Sequence, residues 1–197
     1  MSIVIEDIAN YMAEQMSLTV GENIFASHLP SSPNTAIAVL DGGGPGSGVQ
    51  TGIKNQNIHI MVRDLTFEAG NTICDTIRSL LNAKQVPIMA AEKVDVVTNA
   101  NNSKTRAYLN SVSGYDVGDW IKLVQGATIS YRQLSAVNGT SLYLEWVASL
   151  AANVNSDTDI TKFIYSFMLS TALPAYIGRE ENGIHSWSNN YMITVKQ

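Results

Sequence analysis

At 197 residues the chain is long enough to bury a sizeable core, either as one large domain or as a medium domain carrying a small one. It is 45% hydrophobic but only 15% charged, against about 25% in a typical domain, so Ser, Thr, Asn, Gln and Gly must cover much of a surface suited to packing against other copies. A net charge of -5 and 12 basic residues scattered without a run argue against a sequence-independent nucleic-acid binder, which needs clustered Lys and Arg to neutralise phosphates.

The N-terminal "MSIVIEDIANYMAEQM" has no basic n-region, and no segment approaches the roughly 18 apolar residues of a membrane span. Neither secretion nor anchoring is expected. Residues 3 to 16 instead place Val4, Ile5, Ile8, Tyr11, Met12 and Met16 at helical spacing, with Ser2 as N-cap and Glu6 and Asp7 near the positive end of the dipole. "NIFASHLP" and "TAIAVLD" read as two strands separated by "PSSPN". Then comes "DGGGPGSGVQTG", six glycines in twelve positions. The stretch 57 to 64 alternates Ile58, Ile60 and Val62 against His59, Met61 and Arg63, a third strand. A second helix starts near Thr66 and puts Phe67, Ile73, Cys74, Ile77, Leu80 and Leu81 on one stripe, to pack on the sheet.

From 95 to 160 the chain turns polar and strand-rich, with no helical stripe, and reads as a small all-β module inserted into an α+β domain formed by 1–94 and 161–197. "DWIKLV" is one strand, and Asn138-Gly139 supplies a two-residue type I′ turn. That turn sets Val137 against Thr140, Leu144 against Gln133, Trp146 against Tyr131, and Arg132 beside Glu145. At the C-terminal end, "FMLSTALPAYIGRE" and "IHSWSNNYMITVKQ" flank the turn "ENG" as a hairpin, with Trp187, Tyr191, Ile193 and Val195 on the buried side. Pro174 cannot donate to a ladder and marks an edge or a bulge. The fold class is α+β, a mostly antiparallel sheet packed by two helices.

The motifs that would carry chemistry fail on particular residues. The glycine loop lacks the Lys and hydroxyl of a P-loop, since Gly43 and Gly48 are followed by Val49 and Gln50, and it leads into a strand where an anion site needs a helix N-terminus. His28, His59 and His185 have no metal-ligand spacing, and Cys74, the single cysteine, sits on an apolar stripe as an inert core thiol. "NVNSDTD" offers Asn153, Asn155 and Asp157 to a calcium loop, but Thr158 stands where the glycine belongs and Ile164 where the bidentate Glu belongs. No catalytic residue, metal or cofactor is expected. Trp120, Tyr143 and Trp146 could stack sugars, although aromatics in a small β-module are more often its core.

Four stretches, "DIANYMAEQM", "NIFASHLPSSPNTAIAVLDGGG", "IHIMVRDLTFEAGNTICDTIRSLLN" and "PAYIGREENGIHSWSNNYMITV", together resemble the phage minor capsid or tail terminator family of long-tailed, siphovirus-type bacteriophages. The resemblance covers residues 1 to 90 and 162 to 197; the middle is extra to the compact family form, and Glu180-Glu181 stands where the family commonly shows Asp-Glu. It implies a hexameric ring that caps the tail tube, joins the head connector or stopper protein, and lets DNA through its lumen unread. It also implies a virion protein of the phage neck, assembled in the host cytoplasm. On this reading Gly42, Gly43, Gly44, Pro45, Gly46, Ser47, Gly48 and Lys54 reach a neighbouring subunit or the tube, and the insert decorates the outside. Two alternatives stand beside it: another head-tail connector or minor capsid subunit, or a module recognising carbohydrate on the host surface through Trp120, Tyr143 and Trp146.

Overall fold

The computed structural model describes residues 5–42, 53–82, 84–98, 103–156, 158–170 and 173–196. The fold is α+β, with two helices and mostly antiparallel strands. The chain divides into two compact units, Met1–Ile88 with Ser166–Gln197, and Met89–Tyr165; the sequence placed the corresponding boundaries at 94/95 and 160/161. Among the described residues no helix is long and apolar enough to cross a membrane.

In the first unit, helix α1 (Ile5–Met16) buries Ile8, Tyr11 and Met12, the i, i+3, i+4 stripe expected of it. Val4 and its proposed N-cap Ser2 lie outside the described residues. Strands β1 (Ile24–Ala26) and β2 (Ala36–Asp41) are parallel neighbours, a pairing the sequence did not announce, whereas β2 and β3 (Ile53–Asp64) are antiparallel. Along β3 the buried Ile58, Ile60 and Val62 stand in register with Asp41, Val39 and Ile37. Next along the sheet is β11 (His185–Lys196), paired with β3 over the whole of its length. Trp187, Tyr191 and Ile193 lie on its buried side, as period two requires, with Asn189 among them.

Helix α2 (Phe67–Leu81) lies on β3 and β11. Its start is set locally: the Thr66 hydroxyl accepts from the Ala69 amide, and Asp64 Oδ1 accepts from the Thr66 amide at 2.9 Å. The buried stripe is Gly70, Cys74, Ile77 and Leu81. Gly70 is there because the helix passes directly over an indole. A Cβ at this position would stand 2.1 Å from Trp187 Cζ3.

The far edge of β11 is shared. Strand β9 (Asp159–Ser170) pairs with its second half through Tyr191↔Ser170 to Val195↔Ser166, and β10 (Ala175–Arg179) with its first half through Ala175↔Ser188. The strand expected as one piece across 167–180 is therefore two, and Pro174 lies in the gap, where no ladder donor is needed.

The second unit has no helix among its described residues. Strands β6 (Trp120–Gln125), β7 (Thr128–Asn138), β8 (Tyr143–Trp146) and β5 (Arg106–Tyr108) follow one another from β9, and β4 (Lys84–Val96) pairs β9. Its core gathers Leu109, Tyr115, Ile121, Leu123, Leu134, Leu144, Trp146 and Ile160. Each fully buried aliphatic side chain of this kind contributes about 1.5–3 kcal/mol.

The β7–β8 turn differs from its sequence reading. Val137 pairs with Leu144 and Asn138 with Tyr143, so Gly139–Leu142 form the loop and the two-residue I′ turn is absent. Asn138 Oδ1 accepts from the amides of Thr140 (3.1 Å) and Ser141 (2.7 Å), the Asx closure that competes with a tight turn. A bulge between Leu134 and Ala136 then brings Leu134, in place of Ser135, opposite Trp146, which keeps the apolar face inward. The expected Arg132–Glu145 contact is replaced. Arg106 on the other neighbouring strand takes Glu145 at 2.8 Å, and Arg132 donates to the carbonyls of Tyr131, Ala148 and Ser149.

Candidate functional site

Three places were singled out by sequence or stand out in the structure. The first is the root of the glycine loop. Asp41 ends β2 opposite Ile58, and the Gly42 amide donates to the Asn57 carbonyl at 2.9 Å. Gly43, Gly44, Pro45, Gly46, Ser47 and Gly48 lie outside the described residues. Lys54 is in β3, in register with Val195. A cleft of about 440 Å³ opens at this root, lined by Gly42, Asn57, Ile58, His59, Asn190 and Tyr191. Among the described residues its lining carries no carboxylate, and the ring of His59 is engaged with the Ser188 hydroxyl.

The second is the proposed aromatic platform of the second unit, from which the structure removes Trp146. Trp146 is 1% exposed, and its Nε1–H donates to the Lys104 carbonyl at 3.1 Å. Its ring is core, so it cannot stack a sugar. Trp120 is half-buried on β6, opposite Gln133 of β7. Tyr143 is half-buried on β8, with the Arg106 guanidinium 4.2 Å from its ring centroid and Tyr108 edge-on at 5.8 Å. One face of that ring is thus already covered by a cation. The glutamate Glu145 chiefly raises the pKa of the Arg106 guanidinium through its hydrogen bond, with Tyr108 adding to it.

The third was missed in the sequence as a site, although its residues were placed on strands and a helix. At the start of α2 the ring of Phe67 meets Tyr176 of β10 at 5.2 Å, Trp187 at 5.7 Å and His185 at 6.0 Å. The Tyr176 hydroxyl is hydrogen-bonded to His185 Nδ1 at 2.8 Å. Only Trp187 of the four is buried. Phe67 and Tyr176 are each 44% exposed, and Leu65, Leu173 and Ile177 stand further out. Rings locked by one another are cheap to present to a partner, since little side-chain entropy is left to lose. The sequence gives only a weak signal: "LTF" and "YIG" put Leu65 and Phe67 at a helix start and Tyr176 and Ile177 beside the strand-breaking Pro174.

The remaining chemical candidates are engaged structurally. Cys74 is fully buried, and its Sγ lies 3.5 Å from the Asn189 side-chain amide; burial pushes the thiol pKa up, the Asn189 hydrogen bond opposes this, and Asp75 adds to it. Burial, with Cys74 second, raises the phenol of Tyr191 well above its ordinary range against the opposing charge of Arg78. The Asn155 side-chain oxygen accepts from the Thr158 hydroxyl at 2.8 Å, and Asp157 lies outside the described residues. Among the described residues no group of three His, Cys, Asp or Glu could hold a metal ion.

No protein-family model matches the chain. No curated protein sequence matches it significantly either.

Proposed function

We propose that this chain is a structural virion subunit of the tail terminator kind, forming a ring of six that caps a phage tail tube and joins it to the head connector while DNA passes through the lumen. The observation that carries this reading is the convergence of the four quoted stretches in one unit. They supply α1, β1, β2, β3, α2, β10 and β11, in which β1, β2, β3 and β11 are successive neighbours. Gly70 under Trp187 joins the helix of the third stretch to the strand of the fourth, a close approach that needs both. The charge supports the same reading. An acidic chain with few bases lacks the clustered phosphate contacts that would hold passing DNA in place.

The test is assembly. Purified chain mixed with tail tubes should form a ring seen at one tube end in electron micrographs, and capped tubes should join heads where uncapped tubes do not. Protein that ignores tube ends and leaves head joining unchanged would overturn the reading.

A further inference from the structure

We propose that the corner made by the first turn of α2 and the outer edge of β10 is the face through which one copy of this chain holds a second copy. The inference rests on the assembly reading above and names the surface that reading needs.

Strand β10 pairs with β11 alone among the described residues, so its outer edge has no strand against it. Such an edge is normally a hazard, because it templates indiscriminate strand addition. Here a bulge between Tyr176 and Gly178 breaks the regular spacing of its backbone groups. What the edge offers is therefore side chains more than a ladder: Tyr176 and Ile177 from the strand, Leu173 just before it, and Phe67 and Leu65 from the approach to α2. Their exposures run from 44% to 66%. Together they leave on the order of 500 Å² of mainly apolar surface in water, near the upper end of what a monomer shows without a partner.

That area fits a copy-to-copy contact. A stable interface takes about 800 Å² from each partner, of which about 60% is apolar, and the corner supplies that apolar share by itself. In a ring this corner meets a different face of the next copy, because a patch that pairs with itself closes a dimer. With only 15% of residues charged, little repulsion elsewhere opposes the approach.

The experiment is sizing with light scattering across a concentration series on the full chain and on three variants. Ile177→Lys and Leu173→Asp each place a charge in the corner, and Val147→Lys places one at an 83% exposed position of the second unit as control. The wild type and Val147→Lys should assemble alike, while the two corner variants should need at least tenfold more protein to assemble, with unchanged circular dichroism and melting. Should Ile177→Lys misfold, Leu173→Asp, which lies outside the strand, decides alone. Corner variants that assemble like the wild type overturn the assignment of this face and leave the ring reading standing. A wild type that is monomeric at every concentration overturns the assignment of this face, and the tail-tube assay decides the ring reading separately.

Discussion

Gly70→Ala should destabilise the protein, against the ordinary expectation for a helix. In a helix interior alanine is favoured over glycine by about 1 kcal/mol, so an unconstrained site would gain stability. Gly70 is constrained. The added Cβ would lie 2.1 Å from Trp187 Cζ3 and 2.2 Å from Cη2, and the indole is 1% exposed, with the ring centroids of Tyr176 at 5.5 Å and Phe67 at 5.7 Å. Relieving such a contact requires the ring or the helix to move by more than an ångström, which puts the cost at the upper end of overpacking, about 3 kcal/mol. The net loss is then about 2 kcal/mol, a fall in melting temperature of roughly 4–8 °C for a chain of this size. Urea denaturation followed by circular dichroism measures it. Trp187→Phe removes part of the ring that the new methyl would strike, so the double variant should recover at least about 1 kcal/mol relative to additivity. A Gly70→Ala variant as stable as the wild type, or more so, would refute the reasoning.

Lys162→Met should cost about 3–5 kcal/mol by leaving Asp119 buried without its cation, because the ammonium lies 2.9 Å from Asp119 and 2.7 Å from the Gly114 carbonyl, with 12% and 5% of the two side chains exposed; a loss under about 1 kcal/mol in urea would rule this out. Tyr191→Phe should be neutral or slightly stabilising, since the buried hydroxyl has no hydrogen-bond partner among the described residues. Because folding raises that phenol's pKa, its protonated form contributes stability fully below about pH 10 and loses it as pH rises above, so the variant should lose less stability than the wild type in alkaline denaturation. Cys74, buried and held protonated, should react with a thiol reagent only as the protein unfolds; rapid labelling of native protein would contradict its placement.

Much of the first unit was legible because its signals are periodic and local. Ile58, Ile60 and Val62 announce a strand with one buried side, and Cys74, Ile77 and Leu81 a helix lying on it. Gly70 continues that stripe four residues before Cys74, and reading small residues as part of a stripe would have found the contact with Trp187. Phe67 was placed on the same stripe, but at the first turn it packs on Tyr176 and stays half in water. The second unit was harder for a physical reason. Asn138 can close a turn through its backbone or through its side chain, and the two choices shift every pair in the β7–β8 ladder while leaving Leu144 and Trp146 buried in both. Composition cannot separate alternatives that bury the same residues. The site was least legible, because an apolar residue on an open edge looks in sequence like one in a core.

The break between β9 and β10 has a bearing on how this chain can vary. An added or deleted residue at that joint alters only the phase between two short ladders, each held separately by the same unbroken β11. Within β3, paired over twelve consecutive positions, the same change would turn every later side chain to the opposite face. Length polymorphism and inserted tags should therefore be tolerated beside Pro174 and rejected inside β3, giving the subunit a seam where evolution can adjust it without dismantling the sheet.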